Sequence, residues 1–537
     1  MFFRPLLQAY VLFKDILNFE FIFKKTKTNV QNRMQIIKEF ISNRTVLISI
    51  LVVLVIGSGW TSCTVQKSPV TGTKRAYGYT WEEEIRIGSE ADNSIQQQYG
   101  IYPDTTVTNY VKRVGRKVLK ESHMRRSSTL EKYRQTEFTF RVLDSPVVNA
   151  FALPGGYIYV TRGLLAHLNN EAQLAVVLGH EIGHVAARHA SQRAFEQKAG
   201  QIALVGGAVV GQEVFGLPGQ DLLQVGSSAT KLLFLKYGRD DERESDRLGV
   251  EYAVMAGYEA SEGAEFFTSL RRLSDKSGQS LPSLLSTHPD PGDREQKIPQ
   301  LADQWRAKGY EMNKVERASY FDMLDGIIYS DNPREGFVRD EIFYHPDLAF
   351  RFPVPSDWQL YNQRASVILA APEQKAVVQF TIESDSDSPK MAVEKFLAQE
   401  GITVESQQPA SRDDLSAYQA IARAETREGP LKLYIYAIEH EGNVYRYLGY
   451  SDLSSFDQYV GSMRKAAEGF QRLTDESILA INPVRLHTLA SDRTAIFREL
   501  IPKSLPMDLE ADHLAIVNQL HMDTRVGKGT LIKIPRQ

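Results

Sequence analysis

The chain has 537 residues, enough for several domains with sizeable cores. Its 42% hydrophobic and 24% charged residues are ordinary for folded protein, and a net charge of −3 without long like-charged blocks gives no footing to a nucleic-acid partner. The one cysteine excludes an internal disulfide and a cysteine-based zinc site.

Residues 1–33 are apolar and aromatic but broken by Lys and Glu, and Met34 stands where an export signal would begin. Met34 is therefore expected to be the real start, and 1–33 receive no function. Residues 45-TVLISILVVLVIGSGWTSC-63 follow basic Lys38 and Arg44 and form a short apolar run ending in small residues. The run is short for a spanning helix, which needs about 20 apolar residues. It resembles a bacterial lipoprotein signal, in which Cys63 would become the lipidated first residue; Trp60 departs from the usual aliphatic residue three before the Cys. The expectation is an exported, periplasm-facing protein tethered to a membrane through Cys63. The other reading is an uncleaved anchor with an incidental Cys.

Residues 66–80 read as a polar linker. Helices are predicted over 81–100 and 107–121, the second from apolar residues at helical spacing (Val107, Val111, Val114, Val118). Strand-like alternation with a Pro-Gly-Gly turn follows in 137–165, then a helix from about Glu171 to Gln197. Residues 200–220, glycine-rich and apolar, read as a mobile loop over a cleft or a small packed hairpin. Further helices are predicted at 241–255 and 262–277, with a turn-rich stretch at 283–294.

The histidine helix contains 178-LGHEIGHVAARH-189. His180 and His184, four apart, share one helical face and can reach one metal ion. In the H-E-x-x-H pattern Glu181 faces metal-bound water rather than the metal. At about 100° per residue along a continuous helix, His189 points away from that pair. Catalytic zinc takes three protein ligands and keeps one position open. In 241-DERESDRLG-249, Glu242 and Asp246 again share a face. Glu242 suits a third ligand, and Asp246 suits a hydrogen bond that fixes a ligand histidine's tautomer. Glu244 falls on the opposite, solvated side. An amphipathic helix with partly exposed histidines is the bland alternative.

These stretches, with 149-NAFALPGGYIYVTRGLL-165 and 286-STHPDPGDR-294, closely resemble the gluzincin metallopeptidases. That family includes the CAAX prenyl protease, HtpX-like proteases and periplasmic quality-control (BepA-like) peptidases. The resemblance covers about 64–330 and implies one zinc per chain bound by His180, His184 and Glu242. It implies Glu181 as general base, with Asp246 supporting catalysis. It places Asn149, Ala150 and Phe151 on a cleft-edge strand that an extended peptide substrate could join. In some soluble relatives the histidine of a T-H-P stretch approaches the zinc as a self-inhibiting ligand; here that is His288.

After residue 330 the pattern changes. Alternating strands (348–355, 376–384, 430–439, 444–451) and two helices (391–401, 455–470) read as an α+β accessory domain over 343–472. The last piece, 484–537, resembles the second half of a LysM-type glycan-binding module through Asn518, Leu520, Val526, Gly529 and the final Ile-Lys-Ile-Pro. A structural β-hairpin cap is the simpler reading; the other implies peptidoglycan contact. The fold class expected overall is α+β: a mainly helical zincin-like domain with a small edge sheet, the accessory domain and the C-terminal piece. The expected function is zinc-dependent proteolysis of unfolded or misassembled envelope proteins. A non-proteolytic assembly factor or chaperone keeping the metal fold is the alternative.

Overall fold

A computed structural model describes residues 64–206, 237–277, 284, 288, 293–426, 429–506 and 509–537, with side chains from 198 to 206 left aside. Cys63 and residues 207–220 lie outside the described residues, so the lipidation reading gains nothing from the fold; residues 200–206, expected to open a loop or hairpin, are instead the end of a helix (His189–Gly206). Of the described residues, Val65–Glu196 and those from Tyr237 to Gln537 belong to one compact unit. Among the described residues no helix is long and apolar enough to cross a membrane.

The architecture is α+β. Helix α1 (Trp81–Tyr99) starts at a capping box in which Thr80 and Glu83 satisfy each other's backbone N–H groups. Helix α2 (Thr105–Glu121) is capped by Asp104 and buries Val107, Val111, Val114 and Val118, as the spacing predicts. Three strands follow, β1 (Thr139–Leu143), β2 (Ala150–Leu153) and β3 (Tyr157–Thr161), in the sheet order β1-β3-β2. Strand β3 is parallel to β1 and antiparallel to β2, so β2 lies at the edge. Thr161 ends β3 and caps α3 (Arg162–His167) through its side chain.

Helix α4 (Glu171–Ala187) begins at Asn170, whose side chain accepts from Gln173 N. All 17 of its residues are buried, so it is a core helix packed all round. It does not run on to Gln197. Arg188 adopts left-handed geometry (φ 61°, ψ 40°) and ends it, and a second helix, α5 (His189–Gly206), starts at the next residue. Left-handed geometry costs a non-glycine residue on the order of 1–3 kcal/mol. Arg188 keeps it because its guanidinium is held on every side. It donates to Glu84 (2.6 and 2.8 Å), Gln66 (2.8 Å) and the carbonyl of Tyr79 (2.8 Å), and lies 3.8 Å over the ring of Tyr77. Residues 66–80 are therefore not a free linker: Tyr77 is fully buried, and the segment is tied to the end of α4.

Helix α6 (Arg239–Met255) crosses α4 at a pair of glycines. A Cβ on Gly179 would lie 2.8 Å from the carbonyl oxygen of Gly249, and one on Gly249 would lie 2.7 Å from His180 N. Helices α7 (Gly263–Ser277), α8 (Arg294–Ala307) and α9 (Arg317–Leu324) complete this part.

A short strand, β4 (Ile327–Ile328), leads out of the helical part. The chain then builds a seven-stranded antiparallel sheet from β5 (Gln359–Gln363), β6 (Ser366–Ala370), β7 (Ala376–Ile382), β8 (Ile402–Arg412), β9 (Leu415–Thr426), β10 (Gly429–His440) and β11 (Asn443–Asp452), in the order β5-β6-β7-β11-β10-β9-β8. Helices α10 (Pro389–Leu397) and α11 (Phe456–Glu468) accompany it. Two buried clusters there draw only on residues between Phe343 and Phe470. Four of these strands, β5, β6, β8 and β9, are absent from the sequence reading. Strand β8 is an exposed polar edge containing Pro409, and β9 is alanine-rich, so neither shows apolar alternation.

The C-terminal stretch carries β12 (Arg485–Ala490), α12 (Ala511–Val517) and β13 (Leu531–Arg536). Strand β12 lies between β13 and β4. This is not a detached hairpin: Val484, Leu486 and Val517 belong to the same buried cluster as α2 and α4.

Candidate metal centre

Helix α4 presents His180 and His184 one turn apart, and their Nε2 atoms lie 2.9 Å from each other. Glu242, in the first turn of α6, brings Oε2 to 3.5 Å from His180 Nε2 and Oε1 to 3.6 Å from His184 Nε2. His288 adds a fourth donor, its Nδ1 3.2 Å from Glu242 Oε1 and 3.4 Å from His180 Nε2. These four side chains are buried, and one donor atom from each lies within 4.8 Å of all the others. The crossing at Gly179 and Gly249 makes this possible, because a side chain at either position would hold α6 away from α4.

The surroundings orient these donors. His180 Nδ1 faces Asp246 Oδ1 at 2.8 Å, leaving Nε2 for the centre. Asp246 Oδ2 accepts from Arg294 Nε at 2.9 Å, and another guanidinium nitrogen of Arg294 contacts Glu242 Oε2. Arg294, almost fully buried, thus supplies the cation that two buried carboxylates require. The ring of Tyr237 stacks on His184 at 4.0 Å between centroids.

Glu181 is 1% exposed, and its Oε2 has no hydrogen-bond partner; His288 Nε2 is likewise buried without one. Burial raises the Glu181 carboxyl above its ordinary range, against the pull of His288 and His180. Burial works against charge on His180, but its hydrogen bonds to Asp246 and Glu242 outweigh it and hold the imidazole up to about 9. Burial and the neighbouring His180 push His184 well down. Glu242 is held well below the usual carboxylate range because His288 and His180 more than offset its burial. A compact set of imidazole and carboxylate donors, with orphaned polar atoms beside it, fits a divalent cation of the zinc type.

The sequence-predicted residues His180, His184, Glu242, His288, Glu181 and Asp246 are thus brought together. Of the cleft-edge residues, Ala150 is buried on β2, and Phe151 stacks on Tyr159 at 4.8 Å. Asn149 precedes the strand, and its backbone N–H donates to Thr161 Oγ1 at 3.1 Å. The end of β2 and Pro154 line a small cleft together with His184 and Tyr237. Two expectations need correction. Glu244 is not simply solvated: it lies 3.4 Å from His189 Nε2, and that contact holds its carboxyl low. His189 does not point away: with α4 ended at Arg188, its Nδ1 sits 3.0 Å from His184 Nδ1. Sequence reasoning missed Arg294 and Tyr237, which no periodicity marks.

Residues 106–302 match the family model described as Peptidase family M48. The chain is 26% identical over 232 residues to the beta-barrel assembly-enhancing protease of Yersinia pestis, covering 42% of this chain and 45% of that protein. It is 26% identical over 244 residues to the protein of the same name from Escherichia coli (strain K12), 44% and 47% of the two chains. It is also 34% identical over 148 residues to the mitochondrial metalloendopeptidase OMA1 of Arabidopsis thaliana, 28% of each. The chain thus spans less than half the length of these curated relatives.

Proposed function

We propose, because residues 106–302 match the peptidase family M48 model, that the whole chain is a zinc-dependent endopeptidase acting on unfolded or misassembled proteins of a bacterial envelope. The observation that carries this reading is Glu181: a buried carboxylate with a free Oε2, next to four convergent donor side chains. His180, His184 and Glu242 would hold the metal, with His288 beside them as a further donor. When bound, zinc supplies Lewis acidity and lowers the pKa of a water to near 7. Glu181, buried beside the donors with Oε2 unpaired, would accept that water's proton and pass it to the leaving amine. Asp246 holds the His180 ring, and Arg294 holds Asp246 and Glu242. Ala150 and Phe151 offer the backbone of an edge strand along which an extended substrate can pair.

Several further readings rest on sequence. Cys63 would be lipidated and anchor the protein on a periplasm-facing membrane. The domains would be 64–330, 343–472 and 484–537, the last a capping segment or a LysM-like piece, which in the second case would contact peptidoglycan. A pull-down of the full-length protein on purified sacculi tests that contact, absence of binding refuting it, and mass analysis of the mature N-terminus tests the anchor.

The decisive variant is Glu181→Gln. It should keep about one zinc per chain and lower casein cleavage by about 10²–10⁴-fold. Cleavage equal to the parent would sink the mechanism. Unchanged biological activity in a cleavage-dead variant would favour the chaperone reading.

A further inference from the structure

We propose that His189 is a positioning residue for His184, the middle of a hydrogen-bonded chain from His184 through His189 to Glu244 that fixes the His184 tautomer and ring plane. This rests on reading His184 as a metal ligand.

The two ligand histidines are oriented differently. His180 Nδ1 meets a carboxylate, Asp246 Oδ1, at 2.8 Å. His184 Nδ1 meets another imidazole, His189 Nδ1, at 3.0 Å. Two facing ring nitrogens at that distance share one proton, so one donates and the other accepts. His184 Nε2 faces the donor cluster, 2.9 Å from His180 Nε2 and 3.6 Å from Glu242 Oε1, and must keep its lone pair to bind a cation. The His184 proton is then on Nδ1, and His189 Nδ1 must accept it. Neutral His189 consequently carries its own proton on Nε2, and that atom faces Glu244 Oε2 at 3.4 Å, with Asp241 Oδ1 farther off at 3.9 Å. Every link of the chain runs in one direction. The reverse direction would place a proton on His184 Nε2 and block ligation. Ser245 Oγ, 3.3 Å from His189 Nδ1, is the longer contact at that nitrogen.

The backbone is built for this contact. A continuous helix would carry His189 around and away from His184. The left-handed turn at Arg188 lets His189 open α5 with its ring at the back of His184, 5.0 Å between centroids. The His189 side chain is 1% exposed, so its rotamer is fixed by packing, while Glu244 is 22% exposed and lies 3.7 Å from Arg75. The chain thus runs from the buried centre to the protein surface.

Full-length His189→Phe and His189→Gln separate hydrogen bonding from packing. Phe keeps a ring without an acceptor; the Gln side-chain oxygen can accept from His184 Nδ1–H. Zinc affinity is read by chelator competition, with the melting temperature of metal-free protein as the fold control. We expect a 10–100-fold weaker zinc affinity for His189→Phe, and His189→Gln within about threefold of the parent, from the retained acceptor. Parent-like affinity in His189→Phe overturns the proposal, as do equal losses in both variants. Should His189→Phe not fold, ¹⁵N shifts of the parent's histidines decide: the Nε2–H form of His189 supports the chain, the Nδ1–H form refutes it. A parent that binds no zinc would refute the metal reading and this proposal together. A parent that binds zinc without cleaving casein would refute only the peptidase reading.

Discussion

At the residue scale, the centre is a problem of buried charge. Glu181, Glu242 and Asp246 are three buried carboxylates close together, and Arg294 is the buried cation set against two of them. A divalent ion would offset the remainder, which agrees with Glu181 Oε2 and His288 Nε2 having no protein partner. Under the proposed function, His288 would hold the site inactive at rest. Its Nδ1 lies 3.2 Å from Glu242 Oε1 and its Nε2 lies 3.7 Å from Glu181 Oε1, in the space that the proposed reaction would need for a substrate carbonyl and the attacking water. His288→Ala should therefore raise casein cleavage several-fold at unchanged zinc content. A fall in kcat would assign His288 a catalytic part instead.

At the element scale, the critical feature is the crossing of α4 and α6. The ligands come from both helices, so the spacing between helices sets the distance from His180 and His184 to Glu242. The sequence displays both helical faces but not how closely they approach. Gly179 and Gly249 set that approach, backbone against backbone. Gly249→Ala should push the helices apart, destabilise the fold by about 1–3 kcal/mol and weaken zinc binding more than it lowers the melting temperature of the metal-free protein. Parent-like zinc affinity in a destabilised Gly249→Ala protein would show that the ligands tolerate the shift. The break at Arg188 belongs to the same scale. Nothing in 185-VAARHAS-191 marks a helix end, because the turn is stabilised by Glu84, Gln66 and Tyr79, about a hundred residues earlier in the chain.

At the scale of the whole molecule, the C-terminal stretch holds the start of α4. The buried ammonium of Lys533 donates to the carbonyls of Ala166 (2.6 Å) and Leu168 (2.9 Å), Asn169 donates to Asn518 O (2.8 Å), and Gln519 donates to His167 O (2.9 Å). His167 is packed there against His513, 5.9 Å between ring centroids, and burial holds its pKa down to about 3. Burial lowers His513 as well. The unfolded chain protonates such a histidine near 6.5 while the folded chain does not. Their stabilisation is therefore complete above pH 6.5 and declines as pH falls, by up to about 1.4 kcal/mol per pH unit for each group. Hydrogen exchange should show loss of protection in 511–536 between pH 6.5 and 4.5, with α2 as the internal reference. This local readout separates the effect from Glu84, whose carboxyl burial raises to about 7 and which acts in the opposite sense. Equal protection at both pH values would refute the docking role of these histidines.

The sequence by itself determined which residues are the candidates for the centre. Residues that must share a helical face are four apart, so His180 with His184 and Glu242 with Asp246 were legible from spacing, and Glu181 from its place between the histidines. The periodic helices and the alternating strands β7, β10 and β11 were legible for the same reason, since local periodicity follows from local geometry. Only the tertiary structure decided which groups complete the centre. Arg294 and Tyr237 act through contacts made across long stretches of chain, and His189 meets His184, five residues before it, only because distant residues hold the turn at Arg188. The C-terminal strands joined the helical core because one β-strand, Ile327–Ile328, left a pairing edge that β12 fills. Pairings of that kind depend on where the chain returns in space, and no local spacing encodes them.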